Sequence, residues 1–169
     1  MLERCKVRPW RLDDAPSLAK HANNRRIWLG LRDLFPHPYT VDDAKQFLQR
    51  ATSAQPTTDF CIEIDGSAAG GIGIRIGEDV HRHTAELGYW LSEKFWGQGA
   101  TSEAVTTFHR LLFREFSAPP HLRRAYANNP ASLRVLEKAG FVLERTIEKE
   151  RNQGRANSRF TSLRKDEVA

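Results

Sequence analysis

Hydrophobic and polar positions alternate with period two in some stretches and near 3.6 in others, and the switches between the two predict the elements. Cys5 to Trp10 alternates and reads as a first strand. Asp13-Asp14 offers a helix start, with Pro16 still in the first turn, and the helix is predicted to reach His21 or Ala22. Asn23 to Pro38 carries Trp28, Leu29, Leu31, Leu34 and Phe35 without a clear period, so it reads as irregular or as a short second helix. Thr40 suits the N-cap of a helix over Val41 to Thr52, whose Ala44, Phe47, Leu48 and Ala51 share one face.

A strand-rich middle follows. Phe60 to Ile64, Ala68 to Gly77 and Thr84 to Leu91 are predicted strands of an antiparallel meander, with Asp65-Gly66 as a tight turn and Ile72, Ile74 and Ile76 in period two. Gly97 to Phe116 reads as a long helix and Leu122 to Ala127 as a buried strand. Pro130 to Ala139 is a helix stopped by Gly140, and Phe141 to Lys149 with Ser158 to Arg164 would close the sheet. This order predicts a mixed, mostly antiparallel α/β sheet of about seven strands flanked by helices. Its centre is the strand–helix–strand unit from Leu91 to Tyr126.

Length and composition narrow the classes. At 169 residues, with no internal repeat or dividing linker, the chain is expected to form one domain over 1–169. No window is apolar enough to span a bilayer, so no membrane partner is expected. Met1 to Lys6 lacks the apolar stretch of a secretory signal, which makes the cytoplasm the default expectation. The net charge of +5 permits a polyanion. Its cations are dispersed apart from Arg123-Arg124 and Arg145 to Lys165, so no nucleic-acid partner is expected. A phosphate-bearing cofactor fits the same mild excess. Cys5 and Cys61 have no metal-like spacing, and His81-x-His83 supplies two ligands without a third, so no metal is expected. No Cys–His pair is evident either.

The stretch most informative about chemistry runs from Ala85 to Ala104. A strand, Glu86-Leu87-Gly88-Tyr89-Trp90-Leu91, enters a loop holding Gly97 and Gly99, and a helix follows at once. Glycines let backbone approach an anion, and the first amides of a helix lack partners within it and carry its positive dipole end. Taken alone, Gly-x-Gly is equally a plain strand–helix turn. It is not a P-loop, because no Gly-Lys-Ser/Thr follows, and the dinucleotide fingerprint fails at Ser102.

A second segment, Asn129-Pro130-Ala131-Ser132 through Val135-Leu136-Glu137-Lys138-Ala139-Gly140-Phe141, changes the weighting. Together with Trp96-Gly97-Gln98-Gly99 and Ser102-Glu103-Ala104, it resembles the GCN5-related N-acetyltransferase (GNAT) superfamily. Within that superfamily the chain is most similar to the branch holding ribosomal-protein-alanine N-acetyltransferases. Thr40 to Ala44 before an amphipathic helix is also similar, and the likeness covers most of residues 5 to 150.

The resemblance implies an acetyl-CoA-dependent N-acetyltransferase acting on a primary amine, protein N-terminal or small-molecule, by direct attack in a ternary complex. It implies that Gln98, Gly99, Ala100, Thr101 and Ser102 cradle the cofactor pyrophosphate. It further implies that backbone near Leu91 pairs with the pantetheine arm after the strand splays, and that Asn129 and Ser132 touch that arm. Trp96 is a candidate cofactor contact, with packing as the competing role. The resemblance also makes a homodimer plausible. Four positions depart from the pattern: Thr101 stands where Gly or Ala is usual, Leu136 where many members carry a Tyr proton donor, and Asn157 and Thr161 where the branch often shows an Asp and a Tyr.

A reactive amine must first lose a proton, and a positioned carboxylate can take it. Glu86 is the candidate base, because the apolar strand should partly desolvate it. A structural ion pair within the sheet is the competing role. Glu103 fits the start of a helix better, serving its dipole and cap. Trp28 and Phe35 are candidates for the acceptor pocket or for simple packing. A non-catalytic acyl-CoA sensor is the alternative to an enzyme.

Overall fold

The computed structural model describes residues 4–31, 35–79, 84–115, 121–125, 130–149 and 158–164; within these, 115, 121–125, 143–149 and 158–164 are described as backbone. The elements run β1 (Lys6–Pro9), α1 (Ala15–Ala22), α2 (Arg25–Gly30), α3 (Val41–Ser53), β2 (Asp59–Ile64), β3 (Ser67–Ile76), β4 (Thr84–Leu91), α4 (Ala100–Glu115), β5 (His121–Ala125), α5 (Pro130–Lys138), β6 (Val142–Lys149) and β7 (Ser158–Arg164). Strands β1 to β4 form an antiparallel meander. The ladder continues parallel to β5, then antiparallel through β7 to β6, in the order β1-β2-β3-β4-β5-β7-β6. The sheet is therefore mixed and mainly antiparallel.

Local chemistry accounts for most element ends. Thr40 accepts from the Asp43 amide while the Asp43 carboxylate accepts from the Thr40 amide at 2.8 Å, a capping box that starts α3. Asn24 caps α2 by accepting from the amides of Arg26 and Ile27, so the stretch after Asn23 does contain a short helix. Asp65 and Gly66, at φ +50° and +72°, make the tight β2–β3 turn. Gly140, at φ +84°, ends α5, and the Phe141 amide returns to the Leu136 carbonyl at 3.0 Å.

One boundary is corrected. The helix predicted from Gly97 starts at Ala100, because Gly97 and Gly99 take φ +75° and +83°, which no right-handed helix contains.

Side chains on the two faces of the sheet enter separate cores. Phe60, Ile62, Ile72, Ile74, Leu87, Tyr89 and Leu91 pack with Ala104, Val105, Phe108 and Leu112 of α4 and Leu136 of α5. Trp10, Cys61 and Ala68 pack on the other side with Leu18 of α1 and Leu48 of α3. Leu136, in the usual tyrosine position, is thus a core residue with 1% exposure.

Arg8 ties the second layer to the sheet. Its guanidinium donates to both Asp14 oxygens at 2.8 Å, and its Nε donates to Glu63 at 2.5 Å. Burial opposes ionisation of Asp14, but hydrogen bonds from Arg8 and the Arg11 amide outweigh it and hold the carboxyl below its ordinary value. Replacing Arg8 by Met strands two carboxylates. Urea unfolding at pH 7 is expected to show a loss of about 3 kcal/mol. The Asp14 contribution is complete above its unfolded pKa of about 3.9 and disappears as pH falls through the lower folded value, so the gap between wild type and Arg8→Met should shrink in strong acid.

Candidate active site

Among the described residues, strand β4 is paired with β3 along its whole length and with β5 along its first half. On β3 it is matched throughout, from Ile76↔Ala85 to Gly70↔Leu91. On β5 the described pairs run from Thr84↔His121 to Leu87↔Arg124 and go no further. The Ser92 amide donates to the Ala69 carbonyl at 2.8 Å and the Gly77 amide to the Thr84 carbonyl at 2.8 Å. Antiparallel ladders alternate hydrogen-bonded and non-bonded residues, so the even-numbered residues of β4 bond β3. Tyr89 and Leu91 therefore turn their amides and carbonyls to the other side, where the recorded β5 pairing has ended. It is at this level that the sequence resemblance predicts a splay.

The Leu91 carbonyl already has a partner: Trp96 Nε1 donates to it at 2.7 Å. Trp96 thereby folds the loop back on the strand end. Arg26 lies over its ring, 5.1 Å from the centroid, and is ion-paired with Glu93. Asn24 donates to the same Glu93 carboxylate at 2.8 Å. Helix α2 thus braces the loop, through residues that carried no recognisable motif.

Beyond Trp96, the left-handed Gly97 and Gly99 turn the chain into α4. The Glu103 amide donates to Gly99 O at 3.2 Å as the first α-helical bond. The amides of Ala100, Thr101 and Ser102 precede it and so have no acceptor within the helix. Gln98 Nε2 donates to the Lys94 carbonyl at 3.0 Å and steadies the turn. Glu103 accepts from the Arg4 amide at 3.0 Å and faces the Arg4 guanidinium at 3.4 Å, which joins the start of α4 to β1. This linkage fits its reading as a helix-start residue.

The candidate residues separate by face. Glu86, Gly88 and Trp90 point away from α4 and line a cavity of about 1040 Å³ with Phe35, Tyr39, Phe47, Arg50, Asp59, Gly73 and Arg75. Glu86 stands in register with Arg75 on β3 and Arg123 on β5. Phe35 lines the cavity, whereas Trp28 stacks on His37 at 5.4 Å and is not among the cavity residues. Ser132 lies on the opposite face, 5% exposed, its hydroxyl 2.6 Å from the Tyr89 hydroxyl. Asn129, His81, His83 and Asn157 lie outside the described residues.

Sequence reasoning missed the cavity floor. On that face Gly73 lies between Asp59 and Gly88 on the ladder and Gly88 leaves open space above it, whereas the Trp90 and Trp10 indoles cover Gly71. The signal was present: in Gly71-Ile72-Gly73-Ile74, glycine holds one face and isoleucine the other.

A family model, the Acetyltransferase (GNAT) domain, matches residues 4–142. The chain belongs to the GNAT family. The ribosomal-protein-serine acetyltransferase of Escherichia coli (strain K12) is 38% identical over 65 residues, 36% of this chain. That match spans about a third (34%) of the curated relative's length. Among solved structures, the ribosomal-protein-S5-alanine acetyltransferase from Vibrio fischeri superposes with a TM-score of 0.79 at 22% identity, covering 99% of this chain and 96% of that one. RimL, a ribosomal L7/L12 alpha-N-protein acetyltransferase in complex with coenzyme A, gives 0.78 at 19%, covering 96% and 94%. At these identities the likeness shows the fold. The GNAT assignment agrees with the resemblance carried by the β4–α4 segment.

Gly99→Ala tests the turn. A Cβ there meets only Arg4, at 3.6 Å or more, so the cost is the left-handed φ of +83° rather than a clash. Urea unfolding is expected to show a loss of about 1–2 kcal/mol. Coenzyme A affinity measured by calorimetry should weaken alongside it, while Gly30→Ala, with open space and an ordinary φ, should leave that affinity unchanged.

Proposed function

We propose that this protein transfers an acetyl group from acetyl-CoA to a primary amine, by direct attack within a ternary complex. One observation carries the reading: among the described residues the β4–β5 pairs end at Leu87, beside a helix N-terminus entered through two left-handed glycines, while the even face of β4 opens on a cavity lined by Glu86. Three parts of an acetyltransferase thus converge on one strand.

The residues present fit a coenzyme A diphosphate and its arm. Amides of Gln98 to Ser102, at the positive end of α4, suit the diphosphate, and backbone groups of Tyr89 and Leu91 suit an extended amide-bearing chain. The bound thioester supplies the acetyl group. Because Trp96 occupies the Leu91 carbonyl, the Leu91 amide is the group left to polarise a carbonyl oxygen. Trp96 then serves by positioning the strand end. Ser132, held by Tyr89, shapes the side facing α5, and Asn129 remains a proposed contact with the arm.

The acceptor reaches the protein largely as an ammonium, with a pKa of about 8 for an α-amine and about 10 for an alkylamine. Glu86, on the cavity face of β4, takes the proton directly or through one water, and the neutral amine attacks. A covalent acyl-enzyme is disfavoured, because both cysteines are buried and burial pushes the Cys61 thiol up to about 12. Tyr39, lifted to about 12 mainly by burial, stays protonated in the cavity and is no base at neutral pH. Ribosomal-protein acetyltransferases among the relatives make a protein N-terminal α-amine the first acceptor class to try.

Glu86→Gln is expected to lower kcat at pH 7 by about 100-fold or more, with coenzyme A affinity within threefold of wild type. The deficit should narrow at alkaline pH, where the amine deprotonates in solution. Acetyl-CoA consumption with product mass, measured over N-terminal peptides and small amines, decides the class. Saturable acetyl-CoA binding without turnover on any of them would replace the enzyme with an acyl-CoA sensor.

A further inference from the structure

The ladder places a second carboxylate on the cavity face. Asp59, Gly73 and Gly88 are successive partners across β2, β3 and β4 and so share one face. Gly88 is also the first residue of β4 beyond its last recorded pair with β5. One row of the sheet therefore runs from Asp59, across Gly73, to Gly88, one residue past the last described β4–β5 pair.

Neither glycine interrupts that row. A Cβ on Gly88 would meet nothing within 4 Å. A Cβ on Gly73 would lie 2.7 Å from Asp59 Oδ1 and 2.7 Å from the Thr58 carbonyl, so the carboxylate leans over Gly73 toward β4. The Ile74 amide donates to that same Thr58 carbonyl at 3.0 Å and holds the strand start in place. Strands lie about 4.8 Å apart, which puts the Asp59 carboxylate roughly one strand spacing from the open ground over Gly88.

Asp59 is also short of partners. Its Oδ2 accepts from the Thr58 hydroxyl at 3.0 Å. Arg75 and Arg50 line the same cavity and act on it through space, yet neither forms an ion pair with it among the described residues. Burial raises its pKa, the signature of a carboxylate lacking full compensation. A cation arriving over Gly73 would supply that compensation.

Resting on the acetyltransferase reading, we propose that Asp59 is the acceptor-binding carboxylate, holding the incoming ammonium over the Gly73–Gly88 floor before Glu86 takes its proton. The two carboxylates divide the work: Asp59 sets where a cationic amine docks, and Glu86 removes the proton at the open edge of β4. Acceptors without a positive charge at the reacting end lose the Asp59 contact.

The test uses full-length protein saturated with coenzyme A, and tri-alanine amide as the cationic probe against N-acetyl-tri-alanine amide as its neutral match. Calorimetry is expected to show preference for the cation, and a Kd raised about tenfold or more in Asp59→Asn. Coenzyme A affinity should be unchanged. Gly88→Ala, which meets no atom, should weaken the cationic peptide in the same way by covering the floor. With acetyl-CoA, Asp59→Asn should raise the KM of the amine about tenfold while kcat stays within about threefold, a split that a purely structural aspartate would not give. Equal affinity of wild type and Asp59→Asn for the cationic peptide, or no preference of wild type for it, overturns the proposal. If the preference and its loss in Asp59→Asn hold while no amine is acetylated, Asp59 stands as a cation site and the acetyltransferase reading fails.

Discussion

The organising constraint is the alternation of hydrogen bonding along β4, whose even-numbered residues bond β3 while its odd-numbered residues turn their backbone groups the other way. A strand at the centre of a sheet should give every amide and carbonyl to its neighbours, and an unpaired stretch there is costly unless something else takes its place. In this chain β3 holds β4 to its end, while the recorded β5 pairing stops at Leu87. The level beyond Leu87 is flanked by β4's own outward backbone groups and by the start of α4. An extended ligand with a phosphorylated end, as the proposed function requires, would have the chemistry to pair with such backbone groups and to meet the first amides of α4.

Such a ligand meets a formed site only if the strand end is held in its absence. Trp96 takes the Leu91 carbonyl, Arg26 and Glu93 brace Trp96, and Asn24, the cap of α2, fixes Glu93. On the far side, Glu103 binds the chain at Arg4, and the Cys5 thiol donates to the Ala100 carbonyl at 3.3 Å. These contacts come from the two ends of the first 26 residues and converge on the loop from opposite directions. The loop is therefore preorganised by elements far from it in sequence, which is the condition for a fixed polar site to act without reorganising.

Legibility followed the range of the interactions involved. Thr84–Leu91 was readable to the residue, and the Thr40 cap, the Asp65-Gly66 turn and the Gly140 stop were readable because each depends on its immediate neighbours. The glycine turn before α4 is legible as a turn, but the helix starts three residues later than predicted, since Gly97 can sit in a helix and nothing local announces its left-handed φ. Trp96 reads from the sequence as packing or as a cofactor contact, and the bond from its indole nitrogen to the Leu91 carbonyl is one that only the folded loop creates. Asp59 passed unnoticed because its significance lies across two strands, in the register that sets it level with Gly88. Pairing register joins residues 29 positions apart, and no local pattern encodes it.

The alternation of one strand separates tasks that would otherwise interfere. Odd residues of β4 enter the core with α4 and α5, while even residues face the cavity. Substitution at an even position can reshape the cavity without loosening that core, and substitution at an odd position can change packing on the α4 side. Gly88 on the even face extends that freedom, because it admits a side chain without collision, while its partner Gly73 does not. Gly73 is closed by Asp59 itself, so the carboxylate and the glycine beneath it form a single unit: any residue larger than glycine at position 73 would push the charge off the row that leads to the open edge of β4.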